Sequence, residues 1–179
     1  MDRGKMIRRF TLAALAAVFT ACSEPGTAPA SAPAASIFPD ELRKSSLVEC
    51  PTDVTETTTA VLVGGALGEV ILGGNRIIVP ADALPVGLWV VTLTAPASKY
   101  VEIEATVNGL PGFTFSAPIE VVIDYSRCTR SNIDREPLRV WYIDSVTKQF
   151  LADMGGVDDK DARKITFTTD HFSGYAVAQ

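Results

Sequence analysis

Val101-Glu102-Ile103-Glu104-Ala105-Thr106-Val107 alternates an apolar residue with a polar or charged one along its whole length. Successive side chains of an extended strand leave opposite faces, so Val101, Ile103, Ala105 and Val107 share one face and Glu102, Glu104 and Thr106 the other. The pattern predicts a strand that covers a core with one face in water. Ile119, Val121, Ile123 and Tyr125 form a second such face, opposed by Glu120, Val122 and Asp124, and the two stretches are expected to be opposite walls of one core. Leu138-Arg139-Val140-Trp141-Tyr142-Ile143 is apolar on both sides apart from Arg139, as expected of a strand that packs in two directions.

Working outward, short β-rich runs separated by Gly, Pro, Asn and Asp fill the chain beyond Ser45. Further strands are expected at Glu56 to Val63, Glu69 to Leu72, Arg76 to Val79, Leu88 to Ala95, Gln149 to Ala152, Lys164 to Thr169 and Gly174 to Ala178. Pro80, Pro85, Pro96, Pro111, Pro118 and Pro137 are read as boundaries of these runs, where a missing backbone donor does least harm. No long helix is indicated. The fold class is all-β, a single β-sandwich over residues 45–179.

The N-terminus has a different character. Arg3, Lys5, Arg8 and Arg9 precede a short apolar stretch from Thr11 to Thr20, the order of a secretory signal peptide over residues 1–21. The apolar run is too short to span a bilayer comfortably. Phe19-Thr20-Ala21-Cys22 resembles the lipobox of bacterial lipoproteins, with Phe19 where Leu is usual. That resemblance implies acylation of Cys22 and a membrane anchor through an N-terminal lipid; ordinary cleavage near Ala21 is the alternative. Residues 22–44 then form a tether, because the Ala-, Pro- and Ser-rich stretch from Ser23 to Ser36 has almost nothing to bury. Ile37 to Lys44 is read as a turn or short helix. The expected location is the bacterial cell envelope, and Ser23 after the cysteine slightly favours the outer membrane.

Assigning Cys22 to lipid leaves Cys50 and Cys128. In an oxidising compartment they are expected to pair, and a bridge over so long a loop stabilises a fold by about 4 kcal/mol; two buried thiols are the alternative. Four of the 16 basic residues and one of the 21 acidic ones lie in the signal, so the mature chain holds 12 against 20, a net charge of −8. With no basic stripe interleaved with aromatics, nucleic acid is not an expected partner.

Three stretches are similar to the domain shared by zona-occludens proteins, ankyrins and netrin receptors of the uncoordinated-five class, the ZU-five domain. They are Leu72-Gly73-Gly74-Asn75-Arg76-Ile77-Ile78-Val79-Pro80-Ala81-Asp82-Ala83-Leu84, with Asp82 where that family has Gly; Phe115-Ser116-Ala117-Pro118-Ile119-Glu120-Val121-Val122-Ile123; and His171-Phe172-Ser173-Gly174-Tyr175-Ala176-Val177. The resemblance implies a β-sandwich and a role in scaffolding or protein contact. In some relatives a His-Phe-Ser sequence cleaves its own backbone. Carried over, His171 would act as general base on the Ser173 hydroxyl, which attacks the Phe172 carbonyl and turns the amide into an ester that water opens. The plainer reading has Phe172 and Tyr175 filling the end of the sandwich while His171 bonds to a neighbouring loop.

Other chemistry is less well supported. His171 is the sole histidine, which leaves no multi-histidine metal site, and no cofactor is expected. Asp153, Asp158, Asp159 and Asp161 lack the spacing of a helix-loop-helix calcium site and are read as solvated turn carboxylates. Gly64-Gly65 and Gly73-Gly74 open no helix and precede no Lys-Ser or Lys-Thr pair, so they do not read as phosphate loops. Glu102 and Glu104 on one strand face suggest a glycosidase carboxylate pair, for which an exposed face is the simpler account. No Gly-x-Ser-x-Gly elbow is present. The expected function is a non-enzymatic binding or structural module. The alternatives are self-processing at Phe172-Ser173 and a carbohydrate-binding or hydrolytic protein with a cleft lined by Trp89, Trp141 or the acidic loop.

Overall fold

Alternation of apolar and polar residues becomes antiparallel sheet in the computed structural model, which describes residues 46–129, 133 and 136–179. The signal peptide, Cys22, the tether and the turn or short helix at Ile37 to Lys44 lie outside the described residues. In chain order the strands are β1 (Glu49–Thr52), β2 (Glu56–Gly64), β3 (Gly68–Leu72), β4 (Asn75–Val79), β5 (Gly87–Ala95), β6 (Ser98–Tyr100), β7 (Glu102–Val107), β8 (Thr114–Asp124), β9 (Arg139–Ile143), β10 (Phe150–Gly155), β11 (Val157–Asp159), β12 (Lys164–His171) and β13 (Gly174–Ala178). A six-stranded sheet runs β10-β9-β13-β7-β5-β2, a five-stranded sheet β11-β12-β8-β4-β3, and β1 pairs with β6. The fold is an all-β sandwich.

The two expected walls are there. Ile103, Ala105 and Val107 from the first sheet, with Val101 just before β7, and Ile119, Val121 and Ile123 from the second, with Tyr125 just after β8, belong to one buried cluster. Strand β9 packs in two directions, Val140 into that core and Trp141 and Ile143 into a smaller cluster with Ala176 and Ala178 on the outer face. β13 is paired on both sides, with β7 and β9, and all five of its residues are buried.

Three short strands, β1, β6 and β11, escape the sequence reading, and β8 begins earlier than expected. As a result Pro118 lies inside a strand and does not bound one. The β12–β8 register shifts between Thr169↔Ile119 and His171↔Thr114, so the proline falls in a gap of the ladder where no donor is required.

The first and last described residues lie side by side. Ser46 and Gln179 exchange backbone hydrogen bonds of 3.2 and 3.0 Å, and the Val48 N–H donates to the Val177 carbonyl at 2.9 Å. Just beyond, Cys50 and Cys128 form a disulfide across 78 residues. Tyr125, at the C-terminal end of β8, marks this end of the sandwich; His171, paired with Thr114 at the other end of β8, marks the opposite one.

Candidate functional site

His171 ends β12 in one sheet and Gly174 begins β13 in the other, so Phe172 and Ser173 make the crossing between sheets. Phe172 anchors it. The ring is fully buried, edge-on to Phe115 with centroids 4.7 Å apart, and its N–H donates to the Phe113 carbonyl at 2.8 Å. Tyr175 fills the core beside it. Its hydroxyl donates to the His171 carbonyl and lies 2.9 Å from the Thr169 hydroxyl. Burial raises the Tyr175 phenol, and the Thr169 and Ser173 hydroxyls pull it back part of the way.

The His171 ring lies edge-on to Tyr142, and its Nδ1 is 2.9 Å from the Asp170 carboxylate and 3.3 Å from the Thr169 hydroxyl. Asp170 is held below the usual carboxylate range by that bond to His171. Ser173 Oγ is buried with no bond of full hydrogen-bond geometry. The sequence therefore brings His171, Phe172 and Ser173 to one corner, but no hydrogen bond joins the imidazole to the serine. The corner contains no cis peptide, and neither Phe172 nor Ser173 has a left-handed backbone. The strained bond that would help self-cleavage is not seen in either form.

No family model matches this chain, and no curated protein matches it.

Over the corner folds the turn 144–148. Asp144 accepts from the backbone N–H groups of Val146 and Thr147 and from the Thr147 hydroxyl. The Thr147 N–H is the main reason its carboxylate is lowered. Ser145 sits against Gly174, where an added Cβ would lie 2.6 Å from Ser145 Oγ. Lys148 then reaches Glu102 Oε2 at 2.6 Å. This corrects the expectation of a solvated carboxylate pair. The Glu102 side chain is 2% exposed and neutralised, because the turn supplies a cation to the outer face of β7.

The acidic loop is corrected in part. Asp158 is no solvated turn residue. Its Oδ1 accepts from the Tyr125 hydroxyl, and its Oδ2 accepts from the Leu138 N–H at 2.9 Å and lies 3.0 Å from Lys160 Nζ. Burial, then the Asp158 carboxylate, pushes the Tyr125 phenol well above its ordinary range. Asp153 pairs with Arg139 at 2.6 Å, Asp159 accepts from the Ala162 N–H at 2.9 Å, and Asp161 is exposed. Among the described residues no group of three or more His, Cys, Asp or Glu could hold a metal ion.

The two indoles do not share a cleft. Trp89 packs on the inner core beside Phe113 and donates to the Pro85 carbonyl at 2.8 Å. Trp141 lies on the outer face against Phe150, its N–H buried without a partner. The structure adds a polar cleft of about 280 Å³ between Glu56, Asn75, Asp124 and Arg127, which the sequence reading missed. These four come from β2, β4, β8 and the segment after β8, and no spacing along the chain announces their meeting. The Gly73-Gly74 turn walls this cleft, and a Cβ on Gly74 would lie 1.6 Å from Asp124 Oδ2. A glycine turn pressed onto a carboxylate repels phosphate.

Proposed function

We propose that the protein is an exported bacterial envelope lipoprotein, anchored through acylated Cys22, whose ZU-five-like sandwich acts as a binding or structural module and not as an enzyme. The observation that carries this reading is the Cys50–Cys128 disulfide at the root of the domain, since such bridges belong to oxidising compartments. The co-location of Ser46 and Gln179 beside it supports a body held at one end by a tether. Support for a passive role comes from the polar groups themselves. Glu102, Asp153 and Asp158 are each paired with a lysine or arginine, and His171 with Asp170.

Fractionation tests the anchor. The wild-type chain is expected to follow the detergent phase and a Cys22→Ser variant the aqueous phase; equal partition of the two would overturn it. One observation favours a second reading, self-processing: the buried Ser173 hydroxyl, which forms no bond of full hydrogen-bond geometry and follows the Phe172 carbonyl in the chain. In that reading denatured protein runs as two pieces split at Phe172-Ser173, and Ser173→Ala restores one.

A further inference from the structure

Strand β2 closes one side of the six-stranded sheet, and among the described residues no strand pairs with its outer edge. An open edge presents a row of unpaired N–H and C=O groups, and proteins that need it unpaired blunt it with lysine, proline, a bulge or a short strand. β2 has none of these. It is nine residues long, Glu-Thr-Thr-Thr-Ala-Val-Leu-Val-Gly, and pairs with β5 in unbroken register from Glu56↔Ala95 to Gly64↔Gly87. Across the eighteen residues of β2 and β5, Glu56 is the single charge, in a chain with 37 charged side chains.

The outward face of these two strands carries Thr57, Thr59, Thr92 and Thr94 along one half and aliphatic residues along the other. Val61 is 61% exposed, Val63 56%, Leu88 72% and Val90 40%, and register places Val61 beside Val90 and Val63 beside Leu88. Four contiguous exposed aliphatics thus flank the unpaired edge; edge-to-edge pairing would leave them on the outer face.

We propose that this edge is where two copies of the chain associate, β2 against β2, antiparallel and centred on Ala60. The pleat restricts the choice. Outward residues must face outward residues, so a twofold axis has to pass beside a residue and not between two. Of the registers left, the one centred on Ala60 pairs all nine residues. It sets Glu56 of each copy opposite Gly64 of the other, so the strand's one charge never meets itself. It sets Thr57 opposite Val63 and Thr59 opposite Val61, β-branched residues that suit cross-strand pairing. The contact is isologous and closed, and it joins two six-stranded sheets into one. A negatively charged chain meets its copy here through the stretch where repulsion is least. The inference is independent of the lipid anchor.

The test uses the chain with Cys22→Ser, so that no lipid holds copies together, and measures mass in solution by sedimentation equilibrium. The parent protein is expected to be a dimer at roughly 10–100 μM, within the weak range of specific contacts. Val61→Lys, at a position already exposed in the single copy, is expected to raise the dissociation constant at least about tenfold while leaving the circular dichroism unchanged. Ala60→Cys is expected to oxidise to a cross-linked pair, and Val157→Cys on the exposed edge strand β11 is not. A parent monomer throughout that range overturns the inference. So does a dimer that ignores Val61→Lys or cross-links no better at residue 60 than at 157.

Discussion

Two tyrosine-centred corners close the sandwich at opposite ends of β8, and they treat their polar groups differently. At the first, the Tyr125 hydroxyl, the Leu138 N–H and Lys160 converge on the buried carboxylate of Asp158. At the second, Tyr175 bonds to Thr169 and to the His171 carbonyl, while the Asp170 carboxylate is 68% exposed and the Ser173 hydroxyl has no proper partner. The first corner spends its polar groups on holding β8, β9 and β11 together. The second is held by its aromatic rings and the Tyr175 hydroxyl, and its Asp170 and Ser173 side chains are expected to be dispensable to the fold. A titratable cluster next to a strand crossing is therefore not by itself a site of chemistry; what matters is which groups the packing leaves unspent.

The largest effect is expected next to the first corner. Replacing Cys50 and Cys128 together by alanine is expected to lower stability by about 4 kcal/mol, read from urea denaturation of the oxidised parent and the variant. A loss below about 1 kcal/mol would mean that the backbone bonds of Ser46 and Val48 alone secure this end.

Asp158→Ala strands a phenol, a backbone N–H and a lysine at once and is expected to cost about 3 kcal/mol, reduced from the fully buried case because Lys160 is 35% exposed. Asp170→Ala in the second corner is expected to leave the urea midpoint unmoved. Equal losses in the two variants would erase the contrast between the corners.

The two tyrosines sharpen it through pH. Both phenols are raised, so the unfolded chain loses its tyrosine protons first as pH increases. The stability they contribute is complete below the unfolded phenol value of about 10 and is lost as pH rises through the folded values. Tyr125→Phe is expected to flatten alkaline unfolding more than Tyr175→Phe, and phenolate absorbance gives the order of titration. The smallest effect is expected for Ser173→Ala, within about 0.5 kcal/mol of the parent, since it removes a hydroxyl that forms no full hydrogen bond.

The fold was legible where alternation was long. The walls at Val101 to Val107 and Ile119 to Tyr125 do lie on one core, and the short apolar run Gly174–Ala178 has the bounds its sequence suggests. Ser98-Lys99-Tyr100 and Val157-Asp158-Asp159 are three residues each, too short for a period of two to register. The alternation of β7 by itself points Glu102 to water, because its partner, Lys148, is 46 residues away on a turn whose path that pattern does not encode. The same holds for Asp158, whose three partners come from the residue just after β8, the segment before β9 and the turn after β11. His171, Phe172 and Ser173 were legible as neighbours, but that the imidazole hydrogen-bonds Asp170 and not Ser173 is a matter of three-dimensional placement.

The central claim, an acylated and disulfide-clamped passive sandwich, is tested most directly by the intact mass of the protein purified from a bacterial envelope, read under denaturing conditions before and after reduction. The account predicts one species that begins at acylated Cys22, ends at Gln179 and gains two hydrogens on reduction. A species that lacks the lipid, carries two free thiols from the outset or ends at Phe172 would contradict it.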